Sequence, residues 1–163
     1  TVDGQGVGHV YGHPKVSAAL AEEICRRLRM DKRTAREIVT LVRWNDRDIP
    51  RTEKAIARAV HQLGEDTFRR LLAIKRADNL AQHPDYRSRL TEIDRSEAIL
   101  DGLLAKQACF SLRDLAVNGG DLLALGLRGP AVGEALNALL EQVLDGTLPN
   151  EREALLDAAQ RLP

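Results

Sequence analysis

From Pro14 onward the apolar positions recur every three to four residues, the spacing of one helix face. Val16, Leu20, Ile24 and Leu28 form an i, i+4 stripe entered at His13-Pro14, the pattern of a helix that packs one side. Asp31 stands where it caps a second helix carrying Ile38, Val39 and Val42. Thr52 stands where it caps a third, with Ile56, Ala59, Val60 and Leu63, and Gly64 ends it. Phe68, Leu71, Leu72, Ala77, Leu80 and Ala81 mark a fourth helix that stops near Pro84. Leu90, Ile93, Leu100, Leu103 and Leu104 mark a long fifth one. A helix pair follows over 111–146, and Asn150 stands where it caps a last helix running through Leu162. β-Branched alternation is nearly absent outside the opening residues, so the predicted fold is all-α.

The segment from Ser111 to Gly146 is the most informative. Leu122, Leu123 and Leu125 close a short apolar turn, which Gly126-Leu127-Arg128-Gly129-Pro130 breaks. Val132, Leu136, Leu139, Leu140 and Val143 then resume a helical stripe. Pro130 suits the first helical position, where a missing N–H costs nothing. Gly129 and Gly133 leave the amides of that helix start unshielded. Such an N-terminus holds phosphate well, and a glycine turn there grips a nucleic-acid backbone without reading sequence. The same glycines equally serve a tight corner that only lets two helices pack.

Composition narrows the function classes. A chain of 163 residues and 18.0 kDa buries roughly two thirds of its unfolded surface, enough for one domain or two small ones. Aromatic residues are only 3% of the chain, which excludes base stacking as a main binding device. No run approaches the ~20 apolar residues of a membrane span, and no secretory leader opens the chain; a cytoplasmic protein is expected. Cys25 and Cys109 lie far apart in periodic contexts and read as reduced core residues. The formal net charge of zero hides an asymmetry: residues 1–109 are net basic and residues 110–163 net acidic. Between Arg26 and Arg58 the excess is densest, 11 basic against 5 acidic residues. That run reads either as a polyanion-attracting surface or as a solvated helix face. The chain opens on Thr-Val-Asp-Gly-Gln-Gly-Val-Gly rather than Met, which suggests a piece of something longer. Charge and texture change near Cys109, where a boundary is expected.

Candidate chemistry is sparse. His13 stands at the mouth of the first helix, Asn45-Asp46 follow an apolar run, and Asp78 interrupts another. A carboxylate on an apolar helix needs a partner, because burying it unpaired costs several kcal/mol. A divalent metal is one partner; Lys75, Arg76 or a helix end is another. Neither Cys25 nor Ser17 has a base at fixed spacing, and His9, His61 and His83 have no evident partners. There is no phosphate-binding glycine loop of the Walker kind, no CxxC pair and no HExxH, hence no complete active site.

Taken in order, several segments resemble one family. Gly12-His13-Pro14-Lys15-Val16-Ser17-Ala18-Ala19-Leu20-Ala21, followed by Cys25-Arg26-Arg27-Leu28-Arg29, resembles the GHxxxSAxxA…RL segment of the HD-type domains attached to bacterial tRNA nucleotidyltransferases. These belong to the poly(A) polymerase and CCA-adding enzyme family. Leu41-Val42-Arg43-Trp44-Asn45-Asp46 is similar to its LVxxHD segment, and residues 71–82 to its LLxLxxADxxAQ segment. Residues 112–122, with Asn118-Gly119-Gly120-Asp121, resemble its tail motif, and Gly126 to Gly133 its glycine-proline turn.

The resemblance implies the C-terminal part of such an enzyme, all-α, with residues 1–109 as the end of an HD-like region and 110–163 as a helical tail. It implies tRNA as partner, no membrane, and no nucleotidyl transfer by this part. Mg²⁺ with ATP or CTP would belong to a catalytic head elsewhere, so no cofactor is expected here. Implied RNA contacts are Arg26, Arg27, Arg29, Arg113, Asn118, Gly119, Gly120, Arg128, Gly129 and Gly133. His13, Asp46 and Asp78 would be remnants of a metal site. Asn45 stands where the HD pattern has His, and a neutral amide is a poor metal ligand. A rival expectation from the same three residues is a metal-dependent HD phosphohydrolase acting on phosphate esters or nucleotides.

Overall fold

The computed structural model describes residues 13–82 and 89–162, with side chains from Lys15 onward. Among these residues it is all-α, as predicted. The helices are α1 (His13–Arg27), α2 (Lys32–Asn45), α3 (Glu53–Leu63), α4 (Glu65–Ala81), α5 (Arg89–Ala105), α6 (Gly119–Ala124), α7 (Pro130–Leu144) and α8 (Arg152–Gln160). A 3₁₀ turn at Leu112–Asp114 precedes α6. His9 and His83 lie outside the described residues.

The helix starts follow local chemistry. Asp31 accepts the amides of Arg33 and Thr34, each at 3.0 Å, and Thr52 Oγ1 accepts that of Ala55 at 3.2 Å; both satisfy donors that the first turn leaves unbonded. Pro130 occupies the start of α7 as expected. Gly64 stops α3 with a φ of 78°. Four other helix ends close with the paired bonds of a left-handed C-terminal cap. Gly126 and Gly146 supply the left-handed residue at two of them, but Arg29 and Gln107, both at φ 52°, supply it after α1 and α5. There Met30 N–H reaches Cys25 O at 3.0 Å and Ala108 N–H reaches Leu103 O at 2.9 Å.

One cap differs from expectation. Asn150 does not cap α8; Glu151 occupies that position and makes no side-chain cap bond. The Asn150 amide instead accepts from Ala116 N–H at 2.9 Å and donates to Asp114 O at 2.7 Å. It thereby satisfies two backbone groups in the irregular segment before α6, where no helix partner exists.

The described residues fold as two compact units, each assembled from separated stretches, one from within residues 1–49 and 66–93 and the other from within 50–65 and 94–163. The boundary expected near Cys109 falls within the second unit. Its core takes in Ala57 of α3 together with Cys109, because α3 packs on α7.

In unit 1, α1 packs along α2. The side of α1 that is covered is its small-residue side, Ala18 at 1% and Cys25 at 3% exposure. The predicted apolar stripe lies elsewhere: Val16, Leu20, Ile24 and Leu28 are 69%, 57%, 44% and 68% exposed. Small side chains let two helix axes approach closely, so they take the contact and the larger residues turn outward. On α4, Phe68, Leu71 and Leu72 are buried, whereas Ile74 and Leu80 are exposed.

In unit 2, α7 is central, in contact with α3, α6, α8 and the 3₁₀ turn. Leu139 and Leu140 of α7 meet Leu122 of α6 and Leu155 of α8 in one apolar cluster. Cys109 is part of it, and both cysteines are free thiols, as expected. No described helix is long and apolar enough to cross a membrane.

Candidate nucleic-acid interface

The basic run resolves into two populations. Arg26 and Arg27 close α1, Arg29 follows in its left-handed cap, and Lys32, Arg33 and Arg36 open α2; all six are exposed. Their positive charge adds to that of the α2 amino end, where the helix dipole already favours an anion. Arg26 has one acidic neighbour, Glu23 at 3.9 Å, with both side chains mostly in solvent; such a pair competes weakly with a phosphate.

Lys54 and Arg58, counted in the same run, behave differently. Arg58 Nε donates to Asp145 at 2.8 Å and its Nη2 to Glu141 at 2.9 Å, while Lys54 Nζ lies 3.2 Å from Asp145. These hydrogen bonds raise the Arg58 pKa and hold the Asp145 carboxyl below its ordinary value. Two of the expected phosphate attractors are thus engaged by carboxylates of α7. The surface excess belongs to α1 and α2.

The glycine segment also separates by role. Asn118 Oδ1 accepts from Gly120 N–H at 2.8 Å and caps α6, and Asp121 Oδ2 accepts the Asn118 N–H at 2.8 Å in return. Arg152 then donates to the other Asp121 oxygen at 2.6 Å. A Cβ on Gly120 would lie 3.0 Å from Asn118 Oδ1, and one on Gly119 would lie 3.5 Å from Val132. Asn118, Gly119 and Gly120 therefore build the α6 start and its approach to α7. Arg128 has a bonded guanidinium too: Nη1 donates to Leu123 O at 2.6 Å and Leu127 O at 2.7 Å, covering carbonyls at the end of α6.

Gly129 and Gly133 are different. Gly129 has φ 60° and ψ −135°, and no side chain caps the α7 start it precedes. A Cβ at either glycine would meet nothing within 4 Å. The α-carbons of Gly129 and Gly133 thus stand beside open space, which leaves room for a nucleic-acid backbone to approach the α7 start. Arg113 is exposed on the 3₁₀ turn.

The residues expected as a metal remnant do not make a described donor set. Asp46 ends α2 and Asp78 lies on α4; both are exposed, and Gln82 Nε2 donates to Asp78 at 3.2 Å. The His13 side chain lies outside the described residues. Nearby, Lys75 Nζ donates to Asn45 O and Arg47 O, 2.6 Å each, and closes the carboxyl end of α2. Partial burial, reinforced by the Arg89 charge, lowers the Lys75 pKa, and Asp46, Asp48 and Asp78 oppose that fall. No group of three His, Cys, Asp or Glu fit for a metal occurs among the described residues.

Nucleophilic chemistry fares no better. Burial first, then the Asp114 charge, pushes the Cys109 thiol up to about 11, so little thiolate exists at neutral pH. His61, without an evident partner in the sequence, bonds Phe110 O through Nδ1 at 2.8 Å.

What sequence reading missed is a slot in unit 1. Ser17, Ile38, Leu41, Val42, Asn45, Asp46 and Ile74 line a cavity of 330 Å³. Beside it, sharing Asp46, a second hollow is walled by Lys15, Arg43 and Arg47. Arg47 lies 4.0 Å over the Trp44 ring, which holds its guanidinium on the α2 surface. The available signal was the i, i+4 pair Arg43 and Arg47 flanking the chain's one tryptophan.

Comparison with known proteins follows the same line. A family model described as tRNA nucleotidyltransferase domain 2 matches residues 12–159. The chain is 31% identical over 145 residues to the CC-adding tRNA nucleotidyltransferase of Thermus thermophilus, covering 88% of this chain and 32% of that protein. It is 33% identical over 137 residues to the multifunctional CCA protein of Thioalkalivibrio sulfidiphilus, covering 82% and 32% respectively. A CCA-adding enzyme of Limosilactobacillus fermentum matches 50 residues at 50% identity, 30% of this chain and 12% of that one. In the two longer matches the chain spans about a third of its relative. No solved structure matches. Nothing in these comparisons supports a phosphohydrolase. With its motifs in order and the match running nearly end to end, the chain belongs to the tRNA nucleotidyltransferase domain 2 family.

Proposed function

We propose that this chain is the RNA-holding part of a CCA-adding-type tRNA nucleotidyltransferase, working in the cytoplasm and gripping tRNA while nucleotidyl transfer occurs elsewhere in the whole protein. The family match over residues 12–159 carries the reading. Two features support it. The exposed cations at the α1–α2 turn offer phosphates a charged surface, and the uncapped α7 start, with open space at Gly129 and Gly133, offers a second, uncharged approach. Neither reads bases, which suits a protein that accepts every tRNA. Mg²⁺ with ATP or CTP would bind outside this chain.

Anisotropy of labelled tRNA at rising salt tests the proposal. Affinity should fall steeply with salt, and Arg26→Ala with Arg27→Ala and Arg29→Ala should flatten the logarithmic slope by roughly 0.7–0.9 per lost phosphate contact. Binding that is absent at micromolar protein, or indifferent to salt, would remove it.

A further inference from the structure

We propose that the slot of unit 1 is a mononucleotide site, taking one unstacked nucleotide with its base inside and its 5′-phosphate at the basic mouth. The slot is walled by Ile38, Leu41, Val42 and Ile74, and its 330 Å³ falls at the lower end of small-ligand pockets. An apolar wall of this kind suits the faces of a planar ring. Ser17, Asn45 and Asp46 add polar groups to the lining, which suit the hydrogen-bonding edge of a base or the ribose hydroxyls. Lys15, Arg43 and Arg47 wall the adjoining hollow, which shares Asp46 with the slot. Apolar slot, polar edge and cationic mouth thus follow one another in the order of base, sugar and phosphate. An aliphatic ligand would leave the three cations unused, and inorganic phosphate would leave the apolar wall unused.

The site itself does not depend on the RNA-holding reading; only its assignment to a nucleotide of RNA rests on that reading. Titration of the full chain with AMP, CMP, GMP, UMP and ribose 5-phosphate, followed by amide NMR shifts and Trp44 fluorescence, tests it. Saturating shifts are expected at Ser17, at positions 38–47 and at Ile74, with nucleotides binding about fivefold or more tighter than ribose 5-phosphate, as burial of the base against the apolar wall predicts. Ile74→Trp should fill the slot and reduce nucleotides to the ribose 5-phosphate level. Ser17→Phe fills it from the opposite wall should the first variant not fold. Arg43→Ala with Arg47→Ala should weaken both ligand types alike. Equal binding of nucleotides and ribose 5-phosphate, shifts centred in residues 94–163, or no saturation would overturn the site. In the filled variants tRNA affinity should drop severalfold; unchanged affinity would overturn the assignment to RNA. If wild-type chain saturates with nucleotides yet ignores tRNA, the RNA-holding reading fails and the site stands.

Discussion

Arg29 and Gln107 adopt a left-handed backbone that glycine adopts freely and other L residues resist by roughly 1 kcal/mol. Gln107→Gly should therefore raise stability by about 0.5–1 kcal/mol in urea unfolding. Arg29→Gly should gain similarly, yet lose tRNA affinity, separating the fold's preference from the proposed function. Asn118→Ala removes a cap and its reciprocal bond, and should cost about 1–2 kcal/mol. The carboxyls of Asp31, Asp121 and Asp145 are all held below their ordinary value: Asp31 by Thr34, Asp121 by Arg152 and then the Asn118 amide, Asp145 by Arg58 and then Lys54. Groups of lowered pKa contribute stability above their unfolded pKa that disappears as pH falls through the folded value. The urea midpoint should accordingly fall below about pH 4, and Arg152→Gln should flatten that fall.

At the scale of elements, α1 shows how a stripe misleads. Periodicity identifies a helix face but not which face is covered, and here the small residues won the contact. Leu20→Lys and Ile24→Lys should each shift stability by less than about 0.5 kcal/mol, whereas Ala18→Leu should overpack and cost about 1–3 kcal/mol. Near-equal losses at the three positions would contradict this packing. Central α7 behaves conventionally: Leu139→Ala should cost about 2–5 kcal/mol. Caps at Asp31, Thr52 and Gly64 were legible because each bonds within three or four residues. The role of Asn150 was not, since its partners at 114 and 116 are distant in sequence.

Across the whole molecule, tertiary structure decides which cations of the basic run stay available. The cations of α1 and α2 stay exposed, while Lys54 and Arg58 are bound to Asp145 and Glu141 of α7. Lys54→Ala with Arg58→Ala should thus lower stability and leave the salt slope of tRNA binding unchanged, in contrast to the Arg26, Arg27 and Arg29 triple variant. Helix positions, the glycine turn, the reduced cysteines and the family were readable from the residues, because periodicity, capping and motif order act over short spans of chain. Which α1 face is covered, which cations remain available, how Lys75 comes to close the end of α2, and the slot of unit 1 were decided only by tertiary structure. Each depends on groups from separate helices being brought together, as far as 87 residues apart for Arg58 and Asp145, and local spacing carries no record of such pairings.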